Sequence, residues 1–142
     1  MRTQSRIHGP FTGWHGDALF KLANGQYWIQ AEYKYNYRYM YRPAVVITQS
    51  GLGFQMAVEG MDESIRVRRA NVIEGYVKGA FKGWSGNTEF ELNNGQVWKQ
   101  AAYAYWYHYA YRPEVRIYES GGGYMLCLAD DPSNAIEVRR AR

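Results

Sequence analysis

Two stretches, YKYNYRYMYRP from Tyr33 to Pro43 and YAYWYHYAYRP from Tyr103 to Pro113, place tyrosine at every second position, five times each and seventy residues apart. Successive side chains of an extended strand point to opposite sides, so each run predicts a strand with all five rings on one face, about 6.8 Å apart. The other face carries Lys34, Asn36, Arg38, Met40 and Arg42 in the first run. In the second run it carries Ala104, Trp106, His108, Ala110 and Arg112. The first set reads as basic and solvated, the second as more apolar and suited to packing.

The seventy-residue offset extends beyond the ladders. GPFTGWHGDALFKLANGQYWIQAEY aligns with GAFKGWSGNTEFELNNGQVWKQAAY, and AVVITQSGLGFQMAV with EVRIYESGGGYMLCL. After one extra residue, SIRVRRA aligns with AIEVRRA. The chain is two copies of one unit, with residues 1–70 and 71–142 as the expected domains.

Within each copy the pattern is strand throughout. FKL and FEL are each closed by Asn-Gly, at Asn24-Gly25 and Asn94-Gly95, which predicts a two-residue hairpin turn. Pro43 and Pro113 end the ladders, because proline has no amide hydrogen for a sheet. Ser50-Gly51-Leu52-Gly53 and Ser120-Gly121-Gly122-Gly123 predict a second hairpin, and IRVRR and IEVRR a last strand. Phe20 and Leu22, Val45 and Ile47, Phe54 with Met56 and Val58, and Ile65 with Val67 supply the expected core. Five or six short strands per copy read as an all-β chain of two tandem SH3-like small barrels, or strongly bent antiparallel sheets. A unit of about seventy residues buries only about 60% of its chain surface, so the copies are expected to pack as a pseudo-symmetric dimer through their tyrosine strands.

Composition narrows the functional classes. The chain is 46% hydrophobic, 17% aromatic and 21% charged, which places it among folded globular proteins. Its alternation leaves no apolar run of membrane-spanning length, and MRTQSRIHG lacks the apolar segment of a secretory signal, so a cytoplasmic protein is expected. The single cysteine, Cys127, rules out an internal disulfide and is expected to be a packed or half-exposed structural thiol. Asp17, Asp62, Glu63, Asp130 and Asp131 sit in turn-like contexts, and Asp130-Asp131-Pro132 reads as a turn. His8, His15 and His108 have no partners at metal-ligand spacing, and no helix follows SGLG or SGGG to complete a phosphate loop. The expectation is a protein that is not an enzyme and has no cofactor or metal.

The charge of +4 lies in the first copy, where residues 1–70 hold nine Lys/Arg against five Asp/Glu while residues 71–142 hold eight of each. The ladders have two readings. Tyrosine can fill an interface that stays partly wet, its ring buried and its hydroxyl hydrogen-bonded. Alternatively, rings beside basic residues form a stacking platform for single-stranded nucleic acid. On the second reading Lys34, Arg38 and Arg42 contact phosphates, with Tyr35, Tyr37, Tyr39 and Arg112 as further ligand contacts. The ends RVRR and EVRRAR are a second basic cluster, read as a solvated strand face or as phosphate contacts.

The ordered set G-x-F-x-G-W, N-G-Q-x-W-x-Q, the tyrosine ladder ending in R-P, V-x-I and V-R-R resembles a family of short uncharacterised bacterial proteins with one such unit. The resemblance covers Gly9–Ala70 and Gly79–Ala141 and implies a β-barrel-like product of a mobile gene. It transfers no activity and no site residues. The residues themselves point to a non-catalytic binding protein whose partner is single-stranded nucleic acid. The alternative is an interaction or scaffold module holding an extended protein segment in aromatic grooves, and a small molecule held between the copies is a third reading.

Overall fold

The computed structural model of the chain describes residues 2–16 and 18–142, with Ser133 described through its backbone alone. Asp17, expected at a turn, lies outside the described residues. The protein is all-β, built on a strongly curled half-barrel sheet, and no helix occurs among the described residues. It divides into two compact units, residues 1–70 and 71–142.

The first unit contains β1 (Arg2–Arg6), β2 (Pro10–His15), β3 (Leu19–Lys21), β4 (Tyr27–Gln30), β5 (Tyr35–Tyr41), β6 (Ala44–Ser50), β7 (Gly53–Val58) and β8 (Ile65–Ala70). Six of these form one antiparallel sheet in the order β1-β6-β7-β8-β4-β3, while β2 and the tyrosine strand β5 make a separate two-stranded ribbon. The second unit contains β9 (Val72–Tyr76), β10 (Ala80–Phe81), β11 (Glu89–Glu91), β12 (Val97–Gln100), β13 (Ala110–Tyr111), β14 (Glu114–Ser120), β15 (Gly123–Leu128) and β16 (Asp131–Arg140). Its sheet order, β11-β12-β16-β15-β14-β9, is that of the first sheet position for position, and β10 pairs with β13 as β2 pairs with β5.

Each unit has its own aromatic core. In the first, Trp14 meets Phe11 and Phe20 edge-on at 5.5 and 5.9 Å, beneath Ile47, Met56, Ile65 and Val67. The predicted inward residues are buried, except that Phe54 is only partly covered and packs at 5.1 Å on Trp28. The β2–β5 ribbon contributes Phe11 and Trp14 from one strand and Met40 from the other, so the face of β5 opposite the tyrosines covers the core at Met40.

Three expectations about local structure are corrected. The Asn-Gly turns are three-residue loops, with Gly25 Nα donating to Leu22 O at 3.0 Å and Leu22 Nα to Gln26 O at 2.9 Å. Only Gly25 takes positive φ, while the Asn24 side chain accepts from Gln26 Nα at 2.9 Å, which holds the loop without a left-handed asparagine. The second ladder is strand only at Ala110–Tyr111, with an isolated bridge from Trp84 to Trp106; the bulky Trp106 ring packs between Phe81 and Trp84 and interrupts regular pairing. Asp131 and Pro132, expected in a turn, open β16 beside a register shift at Cys127/Leu128, so the turn is shorter.

Strand β1 had no clear sequence signal. Its inward residues Thr3 and Ser5 are polar and half-buried, so RTQSR lacks the apolar stripe that marks a core strand.

Candidate functional site

Every ladder ring is exposed. The ten tyrosines keep between 56% and 89% of their surface in solvent, so the rings form open faces. In the first unit β5 is positioned from both sides of the core. Phe11 lies opposite Met40 and Trp14 opposite Asn36, and a register irregularity falls between Phe11 and Gly13. Gly13, at φ +95°, lies against β5 so closely that a Cβ there would collide with the Asn36 carbonyl oxygen.

The start of the ladder is held by a buried amide. Gln30 Oε1 accepts from His15 Nα at 3.0 Å, and Nε2 donates to Glu32 O at 3.0 Å and Lys34 O at 2.8 Å. Gln100 repeats this in the second unit, accepting from Gly86 Nα at 2.8 Å and donating to Ala102 O and Ala104 O at 2.9 Å. The W-x-Q motif places this glutamine on the core face beside Trp28 or Trp98. Its role was not read from the sequence, where the signal was a glutamine retained in both copies just before the ladder.

The cations predicted around the ladder fall into different settings. Lys34 is engaged by Glu63 at 3.0 Å and Glu32 at 3.8 Å. Arg38 and Arg42 are exposed. Arg42 takes φ +51°, and its backbone amide donates to Gly9 O at 3.0 Å. Arg112 repeats this at φ +50°, donating to Gly79 O at 2.8 Å. Tyr35, Tyr37 and Tyr39 lie side by side on the open face, where Tyr33 meets Tyr35 edge-on at 5.0 Å. In the second unit the position of Arg38 is taken by His108, stacked parallel on Trp106 at 5.0 Å.

Cys127 is fully buried. Burial pushes its thiol up from 9.0 to about 12, opposed by Arg116 and reinforced by Asp131. The native thiol is therefore expected to resist Ellman's reagent at pH 8 and to react fully in urea. The folded state holds this proton to about pH 12 whereas the unfolded chain releases it near pH 9.0, so the contribution to stability is whole below pH 9.0 and is lost as pH rises between those values. Urea midpoints taken between pH 8 and pH 11 should fall, and Cys127→Ala should flatten that slope.

Among the described residues no group of three or more His, Cys, Asp and Glu side chains is placed to hold a metal ion. Among the described residues no helix is long and apolar enough to cross a membrane. Comparison with protein-family models, curated proteins and solved structures finds no match.

Proposed function

We propose that the chain is a non-catalytic, cytoplasmic protein that binds single-stranded nucleic acid on its tyrosine ladders. Its units are two SH3-like barrels from a duplicated bacterial gene. The observation that carries the binding reading is the exposure of all ten ladder rings on one-sided runs. Exposed aromatic surface of this extent marks an interaction site, and rings spaced along an extended strand suit bases, each of which has a face to stack. Arg38 on β5 and Arg42 just past its end are exposed cations close in sequence to the rings, and supply positive charge to this part of the unit. Lys34 is a weaker contact, because a phosphate would have to compete with Glu63 and Glu32.

The test is fluorescence anisotropy with a labelled oligo-dT at two salt concentrations. Stacking contributes about 1–3 kcal/mol per base, so Tyr35/Tyr37/Tyr39→Ser should weaken binding at least about 100-fold. Arg38/Arg42→Ala should reduce the salt dependence. Absence of binding at low salt would remove the proposal. One observation favours a second reading: β5 has a strand neighbour, β2, on one side only, so an extended peptide could add to its other edge. Binding of that kind would change little with salt.

A further inference from the structure

We infer that the part of the first unit's outer sheet face formed by β1, β6, β7 and β8 binds the phosphate backbone of a nucleic-acid strand, and that this face joins the tyrosine ladder at Arg6. The inference deepens the nucleic-acid reading and rests on it for the partner's class.

The sheet builds the face from alternate residues. In β1 the outward positions are Arg2, Gln4 and Arg6, all exposed. Arg2 pairs with Thr48 on β6, Thr48 with Gln55 on β7, and Gln55 with Arg66 on β8. This row crosses four strands, about 14 Å at the usual strand spacing, with an arginine at each end and uncharged side chains between them. Arg68 is the next outward position on β8 and is exposed. Such a surface lets a strand backbone lie close while guanidinium groups reach its oxygens from both sides.

Two contacts tie the face to the ladder. Arg6 Nη1 donates to Arg42 O at 2.8 Å, at the ladder's far end. Arg66 Nε reaches Glu32 Oε2 at 3.4 Å, immediately before Tyr33. The latter pair is partly exposed and worth little by itself, so a phosphate can compete for the guanidinium. A strand laid across the arginines therefore reaches the rings without leaving the unit.

The fold does not require Arg2, Arg6 or Arg66, while Arg68 is retained in the second unit as Arg139. At the equivalent positions the second unit carries Val72, Tyr76 and Glu137 in place of Arg2, Arg6 and Arg66, yet forms a sheet of the same strand order. The four outward arginines belong to the half of the chain that carries the whole charge surplus. Polyanion binding explains the three arginines that folding does not need.

The test uses the full chain and the triple variant Arg2→Val, Arg6→Tyr, Arg66→Glu, each a residue type the second unit already holds at that place. Circular dichroism melting serves as the folding control. The probes are labelled oligo-dT and an abasic oligonucleotide of the same length. Wild type should bind both. The triple variant should lose roughly 100-fold for both at about 0.1 M salt, and its log–log salt slope should shrink by about 2, as three lost phosphate contacts imply. Tyr35/Tyr37/Tyr39→Ser should weaken oligo-dT alone. If the triple variant binds oligo-dT like wild type while the serine variant does not, the arginine face is refuted and the ladder reading stands. If both oligonucleotides bind equally and only the triple variant loses them, the ladder reading fails and the face stands. Binding of anionic vesicles or an acidic peptide with no binding of either oligonucleotide overturns the inference.

Discussion

Alanine in place of Gly13 should detach the tyrosine ribbon of the first unit from its core. Gly13 holds φ +95°, a region L-residues rarely enter, and an added Cβ would run into the Asn36 carbonyl oxygen with Arg38 Nα at 2.9 Å. The obstructing atoms are backbone atoms of β5, so no side-chain rotation relieves the clash and the strand itself must move. The expected cost is roughly 3–5 kcal/mol. A domain of this size loses about 4–8 °C per kcal/mol, so thermal unfolding should begin at least about 12 °C lower. Gly9→Ala is the control, since Gly9 has φ +79° but nothing within 4 Å of its Cβ position. It should cost only the backbone strain, about 1–2 kcal/mol. Equal losses in the two variants would show that φ, and not the close approach to β5, dictates glycine at position 13.

The second large effect is expected at Gln30. Leucine has a similar volume but can neither accept from His15 Nα nor donate to Glu32 O and Lys34 O, so partly buried backbone groups lose their partner. Each such loss costs about 1–3 kcal/mol, though Lys34 O keeps a bond from Gly16 Nα at 3.0 Å. Gln30→Leu should therefore destabilise by about 2–5 kcal/mol in urea unfolding and should speed hydrogen exchange at the His15 amide. Gln30→Glu separates shape from hydrogen bonding. A carboxylate facing two carbonyl oxygens is disfavoured, which raises its folded pKa above the unfolded value near 4.3. Its stability is then greatest below that unfolded value and is lost as pH rises through the folded pKa. A Gln30→Leu protein as stable as wild type would show that packing alone holds the start of the ladder.

Much of the architecture was legible because it depends on local pattern. The period-two run of the first unit marked its strand, and Ile65 and Val67 or Val45 and Ile47 could be assigned inward from alternation alone. The offset of seventy residues separated the units. The pattern did not show how far Trp106 would disturb the second ladder, since that depends on which side chains meet across the ribbon. It also missed β1, an edge strand whose Thr3 and Ser5 carry no hydrophobic signal.

The candidate site divides along the same line. That the tyrosines share a face follows from chain geometry. That this face is open, that Lys34 is engaged by Glu63, and that Arg6 reaches the Arg42 carbonyl all depend on residues distant in sequence. The arginine row was invisible because Arg2 and Arg66 lie at opposite ends of the first unit and are brought into line only when β6 and β7 pair between them.

By itself, then, the sequence determined most of the strands, the internal repeat and the one-sidedness of each ladder, because alternation and turn chemistry act within a few residues. Only the tertiary structure decided which faces meet solvent and which cations stand together, because both are set by strand order and register between segments tens of residues apart.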